Sequence, residues 1–146
     1  QNQACRIFWE NKEKNRNLTI LFIDMDRLKY MNDTYGHECG DLAIKITAGA
    51  ILRYRPDDAL AVRMGGDEFL VVLPYMEREK VAELVDCIRS EISRQAKLLE
   101  LPCELSISAG GINTDMESGK ALDDYVREAD EIMYREKSAR KKQREA

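Results

Sequence analysis

A continuous apolar run near the start of the chain limits the folds that are open to it. Leu18–Ile23 reads LTILFI and is followed at once by the carboxylate of Asp24. A run of this length is typical of a strand that other elements cover on both faces. The sequence therefore predicts a layered domain in which a carboxylate closes the most buried strand.

The other patterns predict a mixed α/β (α+β) domain with a largely antiparallel central sheet flanked by helices. Ala59–Met64 and Phe69–Leu73 are short strand patterns on either side of Gly-Gly-Asp-Glu, a hairpin signal in which the glycines would supply positive φ angles. A last strand, Leu105–Ala109, is expected to end at Gly110 and Gly111. Helices are predicted at 3–14, from Asp26 as N-cap to a glycine-bracketed turn at His37, and at 42–53, 77–99 and 121–137. The predicted order is helix, strand, helix, helix, hairpin, helix, strand, helix.

Composition limits the domain count and the partners. The chain has 146 residues, so we interpret 1–146 as a single domain. A formal net charge of −4 argues against nucleic acid as a partner, and no apolar run is long enough to span a bilayer. Four scattered cysteines without a C-x-x-C pair fit a reducing compartment. We therefore expect a cytoplasmic domain that makes no membrane contact.

Carboxylates are the candidate metal ligands, because His37 is the only histidine and sites built on several imidazoles are excluded. If the first strand pairs beside the hairpin, Asp24, Asp67 and Glu68 converge. Three close carboxylates repel one another unless cations neutralise them, and two Mg²⁺ ions would do so while assisting phosphoryl transfer. The hairpin alone favours a simpler interpretation, since Gly-Gly-Asp turns are common and Glu68 could be a solvated strand start.

Residues that follow the first strand could bind a nucleotide. Backbone N–H groups around Arg27 and Leu28 can hold an anion at a helix start, and Lys29 adds a positive charge. The carboxylate of Asp41 could accept two adjacent guanine donors, while the amide of Asn32 could serve an acceptor and a donor together. Taken singly, each of these residues more often has a structural role. Lysines on helices are mostly solvated, and Asn, Asp and His often cap helices or form turns.

Three segments carry motifs in a fixed order. Residues 22–41 read FIDMDRLKYMNDTYGHECGD, residues 63–69 read RMGGDEF, and residues 129–137 contain A-D-x-x-x-Y-x-x-K. The combination of N-D-x-x-G-H-x-x-G-D with G-G-D-E-F is highly specific. From about Gln3 to Lys141 the chain closely resembles the GGDEF family, the diguanylate cyclases.

The resemblance implies a fold and a reaction. It implies a palm-like sheet, related to that of adenylyl cyclases and polymerases, that binds GTP and condenses two copies into cyclic di-GMP with release of pyrophosphate. Because one domain holds one GTP, a transient homodimer with two half-sites is implied. Two other readings remain open, a non-catalytic GTP-binding regulatory module and a cyclic di-GMP receptor with a degenerate site.

The resemblance also implies roles for single residues, with two Mg²⁺ per half-site and Mn²⁺ as a substitute. Asp67 would act as proton acceptor, and Glu68 would hold metal or orient the ribose 3′-hydroxyl. Carried over position by position, the metal ligands are Asp24, the Met25 carbonyl, Asp67 and Glu68. Lys29 and Lys137 match phosphate-contacting lysines, and Asn32 and Asp41 match the pair that contacts guanine. His37 would lie beside the substrate.

Some positions depart from the family pattern. The R-x-x-D motif of product inhibition falls in register on Pro56 and Ala59, while Arg55 and Asp58 sit one residue early. We therefore expect weak or absent inhibition by the product at that site. Near the end, the family's G-R is replaced by Arg140 and Lys141, which puts that phosphate contact in question.

The start of the chain departs as well. Family members usually carry D-x-L-T-G-L-x-N-R before the first helix, and this chain opens beyond that motif at Gln1. We therefore expect a fragment of a longer protein, with an upstream sensor domain that could anchor it in a membrane.

Overall fold

The apolar run forms the centre of the sheet. The computed structural model describes residues 2–145, and strand β1 (Leu18–Met25) is buried along its whole length. In chain order the elements are α1 (Asn2–Glu13), β1, α2 (Leu28–Tyr35), α3 (His37–Tyr54), β2 (Leu60–Arg63), β3 (Glu68–Pro74), α4 (Arg78–Leu98), β4 (Ile107–Asn113) and α5 (Leu122–Glu145). This is the order that the sequence predicts.

The sheet has four strands in the spatial order β2-β3-β1-β4, and every neighbouring pair is antiparallel. The predicted mixed class with an antiparallel sheet is therefore confirmed. Because β1 lies between β3 and β4, its carboxyl end adjoins both the hairpin that joins β2 to β3 and the start of β4.

Side chains of β1 alternate between two hydrophobic cores, one on each face of the sheet. Leu21, Ile23 and Met25 pack with α2, α3 and α4. Ile20 and Phe22 pack on the opposite face with α1 and α5. Because both faces of β1 are buried, its sequence does not alternate between apolar and polar residues.

The strand-to-helix junction differs from the sequence prediction. β1 continues through Asp24 and Met25 because both residues pair with β3 or β4. Asp26 is not the N-cap of α2. That position belongs to Arg27, which has a left-handed backbone (φ 60°) and places its guanidinium 4.2 Å from the ring centroid of Tyr30. Asp26 is buried instead.

The glycine-bracketed turn is shorter than predicted. Gly36 has φ 94° and alone separates α2 from α3, which begins at His37 rather than at Leu42. Gly40 lies inside α3. At the other end of the chain, α5 runs beyond the predicted Lys137 to Glu145.

The sequence predicts that the hairpin glycines adopt positive φ angles, and this prediction is wrong. Among described residues, the glycines with positive φ are Gly36 and Gly119. The turn is held by the side chain of Arg63, which donates from Nε to the Gly65 carbonyl (3.0 Å) and from Nη2 to the Gly66 carbonyl (2.9 Å).

β4 also continues past the point where the sequence predicts its end. Gly110 and Gly111 pair with Phe22 and Leu21 of β1 inside the ladder. A Cβ at Gly110 would collide with the backbone of Ala129 and Met133 in α5. This glycine therefore permits the close approach of a helix and does not terminate the strand. No helix within residues 2–145 is both long and apolar enough to cross a membrane.

Candidate functional site

Strand pairing brings three carboxylates to one end of the sheet. Asp24 is the β1 partner of Glu68 at the start of β3. The neighbouring Asp67 carbonyl accepts a hydrogen bond of 2.9 Å from the Met25 amide. One carboxylate oxygen each of Asp24, Asp67 and Glu68 lies within 4.8 Å of the other two. The structure thus brings together the three acidic residues that the sequence singled out.

Asp24 is the most enclosed member of this cluster, with 8% of the residue exposed. Burial raises its pKa from 3.8 to about 6, a rise that Asp67 reinforces and Lys137 opposes. Its Oδ2 accepts a hydrogen bond of 3.0 Å from Lys137 Nζ. Its Oδ1 is buried and has no hydrogen-bond partner among the described residues.

Glu68 is partly buried, and its charge is also disfavoured. Desolvation raises the pKa of Glu68, and the nearby charges of Asp67 and Asp130 add to that rise while Lys137 opposes it. Cations near the cluster would relieve the crowding of negative charge.

The donor set fits a hard divalent cation. Three carboxylates and the Met25 carbonyl supply only oxygen atoms, which is what Mg²⁺ prefers. The unpartnered Oδ1 of Asp24 is the observation that favours a bound cation. A buried carboxylate oxygen without a hydrogen-bond donor is unfavourable unless a positive charge compensates it.

Helix α5 contributes a cation to the cluster. Lys137 Nζ donates to the Met25 carbonyl at 3.0 Å as well as to Asp24. The helix can approach β1 and β4 this closely because Gly110 has no side chain. A single lysine therefore contacts two of the atoms that the sequence proposed as metal ligands.

Asp26 is a supporting residue that the sequence reasoning missed. It is 3% exposed, and its oxygens accept hydrogen bonds of 2.7 Å from the hydroxyls of Ser106 and Ser108. Arg140 Nε of α5 donates to it at 3.2 Å. The sequence shows two serines at alternating positions near the start of the last strand. It does not show that their hydroxyls bind Asp26.

A cavity with basic walls adjoins the carboxylates. This open cavity has a volume of about 480 Å³ and is lined by Arg27, Lys137, Lys141, Arg144 and Glu145. Lys137 belongs to both the cavity and the carboxylate cluster. Four cations against one carboxylate suit a polyphosphate next to bound divalent cations.

The remaining predicted residues lie on α2 and α3. Asn32 packs its side chain against Gly40, where a Cβ would clash with its amide. Lys29, His37 and Asp41 are exposed, so their side chains are open to a ligand. Leu28 is buried in the core, which leaves its backbone N–H as the group that could contact phosphate.

The early R-x-x-D pair lies at the turn between α3 and β2. Arg55 donates from Nη1 to the carbonyls of Pro56 and Ala59, at 3.2 Å each. Asp58 is exposed. The guanidinium thus stabilises its own turn.

Comparisons with known proteins agree on one family. A family model described as diguanylate cyclase, GGDEF domain, matches residues 2–143. Diguanylate cyclase A of Treponema denticola is 32% identical over 128 residues, which cover 86% of this chain and 34% of that protein. "Probable diguanylate cyclase DgcF" of Escherichia coli K12 is 31% identical over 133 residues, covering 86% of this chain and 41% of the relative. The chain therefore spans less than half the length of these curated relatives.

A solved structure gives the same result. The crystal structure of the GGDEF domain of DgcB from Caulobacter crescentus in complex with c-di-GMP has a TM-score of 0.84 and 27% sequence identity to this chain. The match covers 94% of this chain and 82% of that one.

Proposed function

This chain belongs to the GGDEF family, and on that premise we propose that it is a diguanylate cyclase domain that condenses two GTP into cyclic di-GMP and releases pyrophosphate. One observation carries the proposal. Asp24, Asp67 and Glu68 offer oxygens within 4.8 Å of one another, and Lys137 joins them to a cavity lined by four cations.

The reaction assigns a task to each group of residues. The ribose 3′-hydroxyl of one GTP attacks the α-phosphorus of the other, so a new oxygen–phosphorus bond forms while the bond to the leaving pyrophosphate breaks. Asp67 accepts the hydroxyl proton, and Glu68 orients the hydroxyl. The step is repeated to close the ring.

Asp24, the Met25 carbonyl, Asp67 and Glu68 would hold two Mg²⁺ ions, whose chemistry is to activate the hydroxyl and offset the charge of the phosphates. Lys29, Lys137 and the backbone N–H groups of Arg27 and Leu28 bind the phosphates.

Guanine recognition falls to α2 and α3. Asn32 and Asp41 would hydrogen-bond the base, with His37 beside the substrate. Retention of aspartate at position 41 favours the symmetric guanine product. Because each domain would hold a single GTP, catalysis needs a homodimer in which two half-sites face each other, and an upstream sensor domain in the longer protein would control that pairing.

Product analysis tests the proposal. The protein, dimerised by a fused coiled coil and supplied with Mg²⁺, should convert GTP into cyclic di-GMP and pyrophosphate. Asp67→Ala should abolish the product while the circular dichroism spectrum is unchanged, and Asp58→Ala, which alters an exposed carboxylate elsewhere, should retain activity. Absence of product beside an active control cyclase would exclude the proposal, and GTP binding without product would favour a non-catalytic module.

A further inference from the structure

The ammonium of Lys137 occupies the cation position between two candidate metal ligands. Its Nζ lies 3.0 Å from Asp24 Oδ2 and 3.0 Å from the Met25 carbonyl oxygen. Both distances are those of charge-assisted hydrogen bonds. The side chains of this pair are 28% and 11% exposed for Lys137 and Asp24, so solvent screens their attraction only in part.

A divalent cation that used both oxygens would come within van der Waals contact of that ammonium. Coulomb repulsion at such a distance is large in a partly buried site. A divalent cation can therefore take this pair of oxygens only after the ammonium has left them, whereas Asp24 Oδ1 is free of the ammonium.

Lys137 borders a second space besides the carboxylate cluster. Its side chain also lines the cavity that contains Arg27, Lys141 and Arg144. One turn further along α5, Arg140 holds the helix to the buried carboxylate of Asp26.

From these contacts we propose that Lys137 is a built-in competitor of the first divalent cation: its ammonium must swing from Asp24 and Met25 into the cavity before the metal binds there. The inference rests on the metal site of the proposed function. It implies that a polyphosphate in the cavity, by attracting the ammonium, frees the same two oxygens and thereby strengthens metal binding.

Metal binding measured without nucleotide tests the competition. The full chain is titrated with Mn²⁺ at alkaline pH, and free Mn²⁺ is followed by electron paramagnetic resonance. Lys137→Met keeps the apolar stem and removes the ammonium, so we expect it to bind the first Mn²⁺ about tenfold more tightly than the unaltered protein. Lys137→Gln, a second neutral variant, should behave in the same way.

Lys142→Met is the matched control, because it removes the same charge from an exposed position of the same helix. Its Mn²⁺ affinity should change far less. Equal affinities of the unaltered protein and both Lys137 variants, or weaker binding by those variants, would overturn the competition while leaving the proposed metal site intact. An effect matched by Lys142→Met would overturn it too. If no protein of the series bound Mn²⁺, both the competition and the proposed metal site would fall.

Discussion

The burial of Asp24 gives this residue a thermodynamic signature, because desolvation of its carboxylate outweighs the opposing attraction of Lys137. Its pKa is about 6 in the folded chain against an ordinary value of 3.8. Between these two values the folded state binds more protons than the unfolded state, so the free energy of unfolding falls as pH rises through this window. The lost stability is the cost of ionising a carboxylate in a desolvated position.

We predict that Asp24→Asn removes this pH dependence. Without added metal, the stability of the unaltered protein relative to Asp24→Asn should fall by up to about 3 kcal/mol between the two pKa values. Well above pH 6, where the carboxyl is fully ionised in both states, the difference should stay constant. Urea unfolding at a series of pH values, with a chelator present, measures it, and parallel stability profiles for the two proteins would contradict the assigned cause.

Gly40 tests the role of Asn32. A Cβ at position 40 would strike the Asn32 amide, so Gly40→Ala must displace that side chain. We expect the affinity for a non-hydrolysable GTP analogue to fall about tenfold, as for the loss of a buried hydrogen-bonding group. Calorimetric titration measures the change.

The matched control for Gly40 lies on the same helix. Gly49 has open space where a Cβ would be added, so Gly49→Ala should leave nucleotide affinity unchanged and stabilise α3 by about 0.5–1 kcal/mol. Unchanged affinity in a folded Gly40→Ala variant would argue against Asn32 as a guanine contact.

At the scale of elements, the seating of α5 on the sheet depends on Gly110. Gly110→Ala would place a methyl group against the backbone of Ala129 and Met133, which cannot move without the helix. We expect a loss of about 3 kcal/mol or more in unfolding free energy, measured by chemical denaturation. Gly111→Ala, whose new Cβ would lie 3.3 Å from a methyl of Val81, should be milder because a side chain can shift. Equal losses would contradict this account of the helix approach.

The structure of the turn between α3 and β2 bears on whether cyclic di-GMP binds there. Arg55 uses Nη1 to hold the Pro56 and Ala59 carbonyls, and the paired Asp58 is one residue out of the family register. We therefore expect weak or undetectable binding of cyclic di-GMP at this turn, measured by calorimetry. Tight binding that Arg55→Ala abolishes would show that the turn rearranges.

The order of the elements and the carboxylate cluster could be predicted from the sequence. The contacts that hold the surrounding elements in place could not. Apolar periodicity reports which residues are buried, and the hairpin motif placed Asp67 and Glu68 at a strand end. The partners of Asp26 come from β4, from the residue just before it and from α5, 80 to 114 residues away in sequence, and no local pattern records such pairs. The sequence predicts that Gly110 ends the strand, because its contact with α5 is a long-range contact that no local pattern shows.

For the whole molecule, the small net charge conceals a strong local separation. The chain carries a formal charge of −4, yet four cations line the cavity next to three clustered carboxylates. A polyphosphate with its metal ions matches both halves of that pattern. The charge of the whole chain is therefore a poor guide to its substrate.

The proposed half-site makes activity depend on association. For the chain without a fused dimerisation element, the rate per chain should rise in proportion to protein concentration while monomer predominates, because two copies must meet. A coiled-coil fusion should remove this dependence. Initial rates over a dilution series, with the oligomeric state followed by light scattering, measure it, and a constant rate per chain from a proven monomer would contradict the half-site proposal.

The three carboxylates stand on parts of the fold that differ in how tightly they are held. Asp24 lies on the central strand, bonded on both sides and buried along its length, whereas Asp67 and the start of β3 belong to a hairpin whose other strand is four residues long and lies at the sheet edge. Backbone amides of β1 are expected to exchange with solvent only through global unfolding, and those of the hairpin through local opening. A brief fraying of that edge would separate the three carboxylates while the domain stayed folded.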